Sequence, residues 1–436
     1  MNLISPRVLK GFRDILPDSE RVRRALTDRL ESAFRQFGYV PIDTPTLEYT
    51  EVLLGKGGGE TDKQIFRFQD HGGRDVALRF DLTVPFARYM AAHLNELYTP
   101  FRRYHIGKAY RGENTQRGRY REFVQCDFDI VGVDSVSADA DILLTVVEAF
   151  RAIGIERIEL RVAHRGLFSR FLGHLGAGEQ SAEVLRTVDK LRKVGVETTK
   201  NDLVALVGDA KAAQVVEFIT AGGEYDEVIR RLEELAGGPG IDSDRVRRTI
   251  GAVVEAGAGK NIIYDPTITR GLDYYTGIVF ETFLPELPDI GSVCSGGRYN
   301  DLASLYTKQE LPGVGGSVGL DRLLAALEQL ERTPEAGPAA DVLVFCLDDS
   351  LVGWYHSLAR TLRNSGLTCE VYPATRKLAQ QFGYAEKKGV PLAVICGPDE
   401  HAEGRINCKD LRNRESFDAA GPDEAARMLR ARLGAE

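Results

Sequence analysis

The sequence has 436 residues, of which 43% are hydrophobic and 28% charged, with a formal net charge of −8. That length calls for two or three cores, and the balance is the globular average, which excludes disordered and fibrous classes. No apolar run reaches the roughly eighteen residues of a membrane helix, and the start MNLISPRVLKGFRD lacks the apolar core of a secretion signal, so a cytoplasmic protein is expected.

After Pro17 the residues Val22, Leu26, Leu30, Ala33, Phe34 and Phe37 recur at helical spacing, with Asp18 as the expected cap and Gly38 as the stop. YVPIDTPTLEYTEVL then reads as an edge or interface strand, because Pro41 and Pro45 cannot donate to a ladder. GKGGGETDKQ, from Gly55, lacks the Gly-Lys-Ser/Thr of a phosphate loop and reads as a loop, either simply flexible or a mobile part of a site. Between Val76 and Phe283 short alternating strands dominate (DVALRFDLTVPF, RRYHIGKAYR, YREFVQCDFDIVG, TGIVFETF), the pattern of an antiparallel sheet with one packed face. Residues 165–260 interrupt it with polar helical stretches such as AEVLRTVDKLRKVG and read as a helical insertion. ERTPEAGPAA, residues 331–340, is a linker. Beyond it DVLVFCL, TCEVYP and PLAVICG alternate with helices near residues 354–362 and 378–388, predicting a small α/β domain with a largely parallel sheet.

Six scattered cysteines, none in a CxxC pair, read as reduced and mostly buried thiols rather than a disulfide frame or a zinc site. The acidic net charge argues against wholesale coating by nucleic acid but leaves room for a local basic patch.

The stretch YRGENTQRGRYREFVQCDFDI, residues 110–130, places Arg111, Arg117, Arg119 and Arg121 ahead of Asp127 and Asp129. From Gly118 onward odd positions are polar and even positions mostly apolar, so a strand here would pack Val124, Cys126 and Phe128 and offer Gln125, Asp127 and Asp129 as a polar floor. The turn GENTQRG would fold two strands into a hairpin, with an anion-binding zone near the turn and a cation-binding zone further along. Taken alone, this segment could equally be a solvated sheet face with cross-strand ion pairs. It has company, however. ALRFDLTVPFARY sets Arg79, Asp81 and Thr83 against Leu78, Phe80 and Leu82, and TRGLDYYTGIVFE puts Arg270 and Asp273 beside Tyr274 and Tyr275. GVGGSVGLDRLLAAL enters a helix with Arg322 in its first turn, where backbone amides favour anions, although the glycine spacing is not GxGxxG.

Together these stretches resemble the histidyl-tRNA synthetases, which are class II aminoacyl-tRNA synthetases. KGFRDILP, FGYVPIDTPTLE, YRGENTQRGRYREFVQCDFDIVG and GVGGSVGLDR resemble the start and the three class motifs, while RGLDYYTGIVFE and SVCSGGRYNDL resemble the two signatures particular to the histidine enzymes. The resemblance spans essentially the whole chain. It implies an α+β catalytic domain with a mixed, mainly antiparallel sheet over residues 1–164 and 261–330, the helical insertion, and an anticodon-binding α/β domain over residues 341–436. It further implies a homodimer joined through the first motif, with histidine, ATP and the histidine tRNA as substrates and Mg2+ travelling with the nucleotide rather than in a protein cage.

Residue by residue, the resemblance gives Arg111 the α-phosphate and the histidine carboxylate, Glu113 the adenine, and Arg119 and Arg322 the pyrophosphate end. Arg270 would reach the α-phosphate from the other side, in place of an extra metal ion. Asp81, Leu82, Thr83, Gln125, Asp129, Tyr274 and Tyr275 would form the histidine pocket. The second motif is closer to the archaeal and eukaryotic form, which bears on how the tRNA acceptor end is read. In the terminal domain Arg376, Lys377, Lys387, Lys388, Arg405 and Lys409 are the candidate cations for tRNA. A competing expectation is a non-catalytic regulatory paralogue of histidine biosynthesis, but such chains usually lack RGLDYYTG and the terminal domain, and this one has both.

Overall fold

The computed structural model describes residues 3–55, 64–268, 274–335 and 337–434. It falls into two compact units, Met1–Pro334 and Glu335–Glu436. The first opens on a helix, Pro17–Gln36, that buries Leu26, Leu30, Ala33 and Phe34 on one face. Pro17, not Asp18, starts it: a fixed φ and a missing N–H suit the first helical position, and Asp18 instead accepts from Arg21 Nη2 at 2.9 Å.

The strands of this unit are β1 (Val40–Pro41), β2 (Leu47–Tyr49), β3 (Arg67–Gln69), β4 (Asp75–Leu78), β5 (Phe101–Tyr110), β6 (Glu122–Val131), β7 (Glu159–His164), β8 (Ile262–Tyr264), β9 (Ile278–Phe283), β10 (Cys294–Tyr299) and β11 (Gly313–Gly319). Eight form one sheet in the order β1-β5-β6-β11-β10-β9-β7-β8, and β2-β4-β3 form a small second sheet. Within the large sheet β5 through β7 are antiparallel neighbours, and only the outer pairs β1–β5 and β7–β8 are parallel. Pro41 lies on the edge strand, as its missing donor requires.

The parity read in residues 118–130 is the parity of β6. Val124, Cys126, Phe128 and Ile130 enter a core shared with Leu30 and Phe34 of the first helix and with Ile142 and Val146 of helix Val136–Ala152. The odd face of β6 looks the other way, with Arg103 of β5 and Gly315 of β11 flanking Asp129, and His105 and Ser317 flanking Asp127.

The strand expected to continue through Phe86 does not. It stops at Leu78, and a helix runs over Thr83–Ala92. The Val84 N–H donates to Asp81 Oδ1 at 3.1 Å, and Pro85 sits in the first turn, where a missing N–H is no loss, so local capping overrides the alternation.

Between β7 and β8 seven helices fill the chain from Arg165 to Glu255. Their apolar faces do not make a separate core: Phe171, Phe218, Leu232 and Ile250 belong to the same cluster as Phe150 and Phe128. The Phe171 and Phe218 rings stack with centroids 4.4 Å apart. Helix Ile241–Glu255 is also pinned by charge. Arg245 Nε and Arg298 Nε donate to the two oxygens of the buried Asp139, at 2.7 and 2.8 Å.

The second unit carries β12 (Val342–Val344), β13 (Cys369–Val371), β14 (Leu392–Val394), β15 (Ile406–Asp410) and β16 (Glu415–Ala419), in the order β13-β12-β14-β15-β16. Only the first three are parallel; β15 and β16 form an antiparallel hairpin turned by Arg414 at φ +61°. The largely parallel expectation missed this hairpin because INCKD and ESFDA are polar segments without an apolar run. All six cysteines are free, and five are buried. Among the described residues no helix is long and apolar enough to cross a membrane.

Gly296→Ala tests the sheet. An added Cβ would lie 2.1 Å from Gly315 O and 2.4 Å from Phe280 Cζ. We expect a loss of about 3 kcal/mol or more, read as a lower urea midpoint; an unchanged midpoint would mean that β10 and β11 separate without penalty.

Candidate active site

A cavity of about 820 Å³ opens over the odd face of β6 and the adjoining strands β11 and β10. It exists because small residues line that face. At Gly315 a Cβ would sit 2.0 Å from Asp129 Oδ1, and at Gly297 it would sit 3.0 Å from the Tyr275 ring. Asp81, Thr83, Arg111, Glu113, Arg119, Gln125, Asp129, Tyr274, Tyr275 and Arg322 all line this space. Leu82 does not: its side chain is buried, and its carbonyl accepts from Arg103 Nη2 at 3.4 Å. Arg270 and Asp273 lie outside the described residues, as does the glycine loop from Lys56 to Gly59.

One end of the cavity is acidic and dry. Asp81, Asp127 and Asp129 are 1%, 1% and 2% exposed, and Arg103, the counter-charge, is fully buried. Arg103 Nη2 lies 2.7 Å from Asp129 Oδ2, and its guanidinium carbon is 4.2 Å from the Phe86 ring centroid. Tyr299 donates its hydroxyl to the other oxygen of Asp129. Burial still wins over Arg103 and Tyr299, and raises the Asp129 carboxyl above its ordinary value. Asp127 is pushed up to about 7, first by burial, against the pull of Arg103 and with a further push from Asp129. Asp81 is raised to about 6 by burial, against its bond from the Val84 amide and the field of Arg111. Tyr274 donates its hydroxyl to Asp81 Oδ2 at 3.3 Å. Gln125 Nε2 donates to Ser317 Oγ at 2.8 Å, while Gln125 Oε1 is buried and without a partner among the described residues.

The other end is cationic. Arg111 is held by its Nε on Phe80 O at 2.9 Å, with its guanidinium carbon 5.1 Å from the Phe123 ring centroid. Glu113 stands between Arg111 and Arg119, 3.9 Å from one and 3.7 Å from the other. Arg322 is in the first turn of helix Leu320–Gln329 and donates to Ser292 O. Burial, helped by Arg119, lowers Arg322 to about 10, so it stays charged at neutral pH. Its neighbour Asp321 ties three segments together: it takes the Val124 N–H at 2.8 Å and Arg13 of the KGFRD stretch, whose guanidinium lies 3.5 Å above the Tyr120 ring centroid. Arg121 packs its stem against Gly11, where a Cβ would come within 2.6 Å, and so braces the hairpin rather than the cavity. Arg117 is exposed and does not line the space.

Sequence reading missed Arg103, Tyr299, Glu281 and Lys193, the last three being cavity-lining residues. Arg103 is legible only through the β5–β6 register, which sets it opposite Asp129. Tyr299 sits in the GGRYNDL signature, and that signature is the signal from which it could have been found.

A model of the family described as histidyl-tRNA synthetase matches residues 11–323, and an anticodon binding domain model matches residues 341–432. The chain belongs to the histidyl-tRNA synthetase family. A relative from Treponema denticola named histidine–tRNA ligase is 46% identical over 99% of each chain. The crystal structure of histidyl-tRNA synthetase from Nostoc sp. PCC 7120 superposes with a TM-score of 0.87 at 32% identity, covering 99% of this chain and 100% of that one. A Bacillus halodurans structure described as an ATP phosphoribosyltransferase regulatory subunit/histidyl-tRNA synthetase has a TM-score of 0.75 at 22% identity over 88% of this chain and 97% of that one, which is a likeness of fold. Family members use ATP, and the cation end of the cavity has the residue types that a nucleotide requires.

Two measurements probe the acidic end. Arg103→Met strips Asp129 of its buried counter-charge and should cost about 3–5 kcal/mol of unfolding free energy, with much of it recovered when Asp129→Asn is added. The raised carboxyls also set a pH dependence. Folded Asp81 and Asp127 keep protons that the unfolded chain has released, so their contribution is full below about pH 4 and is lost as pH rises through 6 to 7. Asp127→Asn should therefore flatten the fall in stability between about pH 4 and pH 7 in urea titrations. An unchanged slope would assign that fall to other groups.

Proposed function

We infer that this chain is a histidine–tRNA ligase: it activates histidine with ATP to histidyl-adenylate and pyrophosphate, then transfers the histidyl group to the 3′-terminal ribose of the histidine tRNA. The observation that carries the reading is one cavity with buried carboxylates at one end and arginines at the other, laid over one face of the large sheet, in a chain of this family.

In this reading the acidic end takes histidine. The α-ammonium meets Asp81, Thr83 and the unpartnered Gln125 Oε1, and the imidazole N–H donates to Asp129, with Tyr274 and Tyr275 closing the pocket. An acceptor held in place by Arg103 and Tyr299 discriminates by chemistry, since an amino acid without that N–H leaves it desolvated and unpaired. The histidine carboxylate is ionised at neutral pH and needs no general base to attack the α-phosphorus. The reaction needs in-line placement and charge neutralisation. Arg111 is assigned the α-phosphate and the carboxylate, Glu113 the adenine, and Arg119 and Arg322 the departing pyrophosphate. Arg270 keeps its assignment to the opposite side of the α-phosphate on the strength of its signature alone. In the second step the ribose hydroxyl attacks the activated carbonyl and AMP leaves.

A magnesium ion, when bound with the nucleotide, would offset phosphate charge. Glu281 fits as one oxygen donor: it lines the cavity, and its carboxylate makes no hydrogen bond or ion pair among the described residues.

We assign residues 1–164 and 261–330 to catalysis, 165–260 to an insertion and 341–436 to anticodon binding. A homodimer through residues 37–48 and a cytoplasmic location belong to the same reading. Among the terminal cations, Lys388 is paired with Glu370, Arg405 bridges Glu403 and Asp418, and Lys409 lies 5.2 Å over the Phe382 ring. Arg376, Lys377 and Lys387 form no ion pair among the described residues, so they are the better candidates for tRNA phosphates.

The decisive measurement is ATP/pyrophosphate exchange with purified protein, expected with histidine and with no other amino acid. No exchange with histidine would favour the regulatory paralogue. Arg111→Ala should lower the exchange rate by at least about 10²-fold, the scale of losing one preorganised donor to a transition state. Removing residues 335–436 should spare exchange more than tRNA charging; equal loss by a folded fragment would argue against a separate anticodon module.

A further inference from the structure

The helical insertion supplies a side chain to the cavity that the ligase mechanism leaves unused. Leu191–Val194 is a four-residue helix fixed against the rim of β9. Arg192 does the fixing: its Nη2 donates to Asp265 Oδ2 at 2.6 Å, and its guanidinium carbon lies 4.3 Å from the Phe283 ring centroid. Asp265 is itself held by Arg161 Nη1 at 2.9 Å and by Thr267 Oγ1 at 2.6 Å. With residue 192 locked to the sheet, the next residue, Lys193, reaches the cavity wall that also carries Glu281 and Arg322. Lys193 is exposed at the cavity rim, and among the described residues its ammonium makes no hydrogen bond and no ion pair, so it adds an unspent positive charge there.

The neighbouring groups say what it is for. Arg322 and Arg119 stand at the same end, and each lowers the cost of bringing in a multiply charged anion. Glu281 is too weak a counter-charge for three cations: burial raises its carboxyl, although Arg192 and Arg322 pull the other way. The two arginines are held by contacts to Glu113 and to the Ser292 carbonyl, whereas a lysine on a four-carbon stem can follow a moving phosphate.

We infer that Lys193 is a further nucleotide-positioning residue, whose ammonium binds the outer phosphates of ATP and the pyrophosphate released from them. This rests on the assignment of the chain as a ligase. It places one of the three cations of the leaving-group end on the insertion rather than on the catalytic sheet, so the seating of the insertion enters the affinity for pyrophosphate.

The test is exchange kinetics of the full-length protein without tRNA, comparing wild type, Lys193→Ala and Lys193→Arg, with thermal melting as the check on folding. We expect Lys193→Ala to raise the KM for ATP and for pyrophosphate by about tenfold, the scale of one charge-assisted contact, with the histidine KM within about twofold and the melting temperature unchanged. Lys193→Arg should restore most of the loss. Unchanged ATP and pyrophosphate constants, an equal rise in the histidine KM, or a defect seen only as a higher KM for tRNA in charging would each overturn the proposal. Absence of histidine-dependent exchange in the wild type would overturn the ligase assignment and this role with it, whereas normal exchange with indifferent Lys193 variants removes this role alone.

Discussion

The contact on which the site depends is the buried pair of Arg103 and Asp129. Removing a carboxylate from water costs several kcal/mol, and three carboxylates lie under one end of this cavity. Among the described residues Arg103 is the cation in ion-pair contact with any of them, and it serves Asp129. Asp81 and Asp127 are left with hydrogen bonds and distant fields, which is why burial lifts both. The acidic end is therefore short of positive charge until something cationic enters. In the proposed reading, an amino acid that brings an ammonium group and an imidazole N–H supplies what is missing, and the cost of burying these acids is offset when that substrate binds.

The sheet makes this arrangement possible by being asymmetric. Its packed face is filled by Phe128, Phe280 and the first helix, so tightly that Gly296 and Gly316 have room for no side chain. Its open face is lined at Ser295, Gly315 and Ser317, which yield the volume that the substrates need. The same ladder thus delivers rigidity on one side and a cavity on the other. The cationic end is assembled differently, from a hairpin turn and a helix start that meet where Gly118 abuts the backbone of Arg322.

How much of this is legible in the sequence follows the range of the forces involved. The parity of β6 is local, and the alternation of residue types by itself puts Gln125 and Asp129 on the cavity side and Val124, Cys126 and Phe128 in the core. The cationic residues of the hairpin and of the last motif are legible because their residue types suit anions whatever the fold. Arg103 is not, since a buried arginine in a strand is identified only by what lies across the ladder. Leu82 entered the pocket only through the resemblance, whereas alternation set it with Leu78 and Phe80, and its side chain is buried. Lys193 lies hidden in a polar helical stretch, where nothing local separates a solvated lysine from one that faces a cavity across the fold.

The merging of the insertion with the main core has a consequence for how such a protein can change over time. Val246, Ile250 and Val253 of helix Ile241–Glu255 belong to the same apolar cluster as Ile142, Val146 and Phe150 of helix Val136–Ala152, and Arg245 and Arg298 share Asp139 within it. Excising or exchanging the inserted helices would strip one side of the main core and leave Asp139 with one arginine in place of two. The inner helix and the sheet beneath it share one core and one charge cluster, so they must be inherited as one piece.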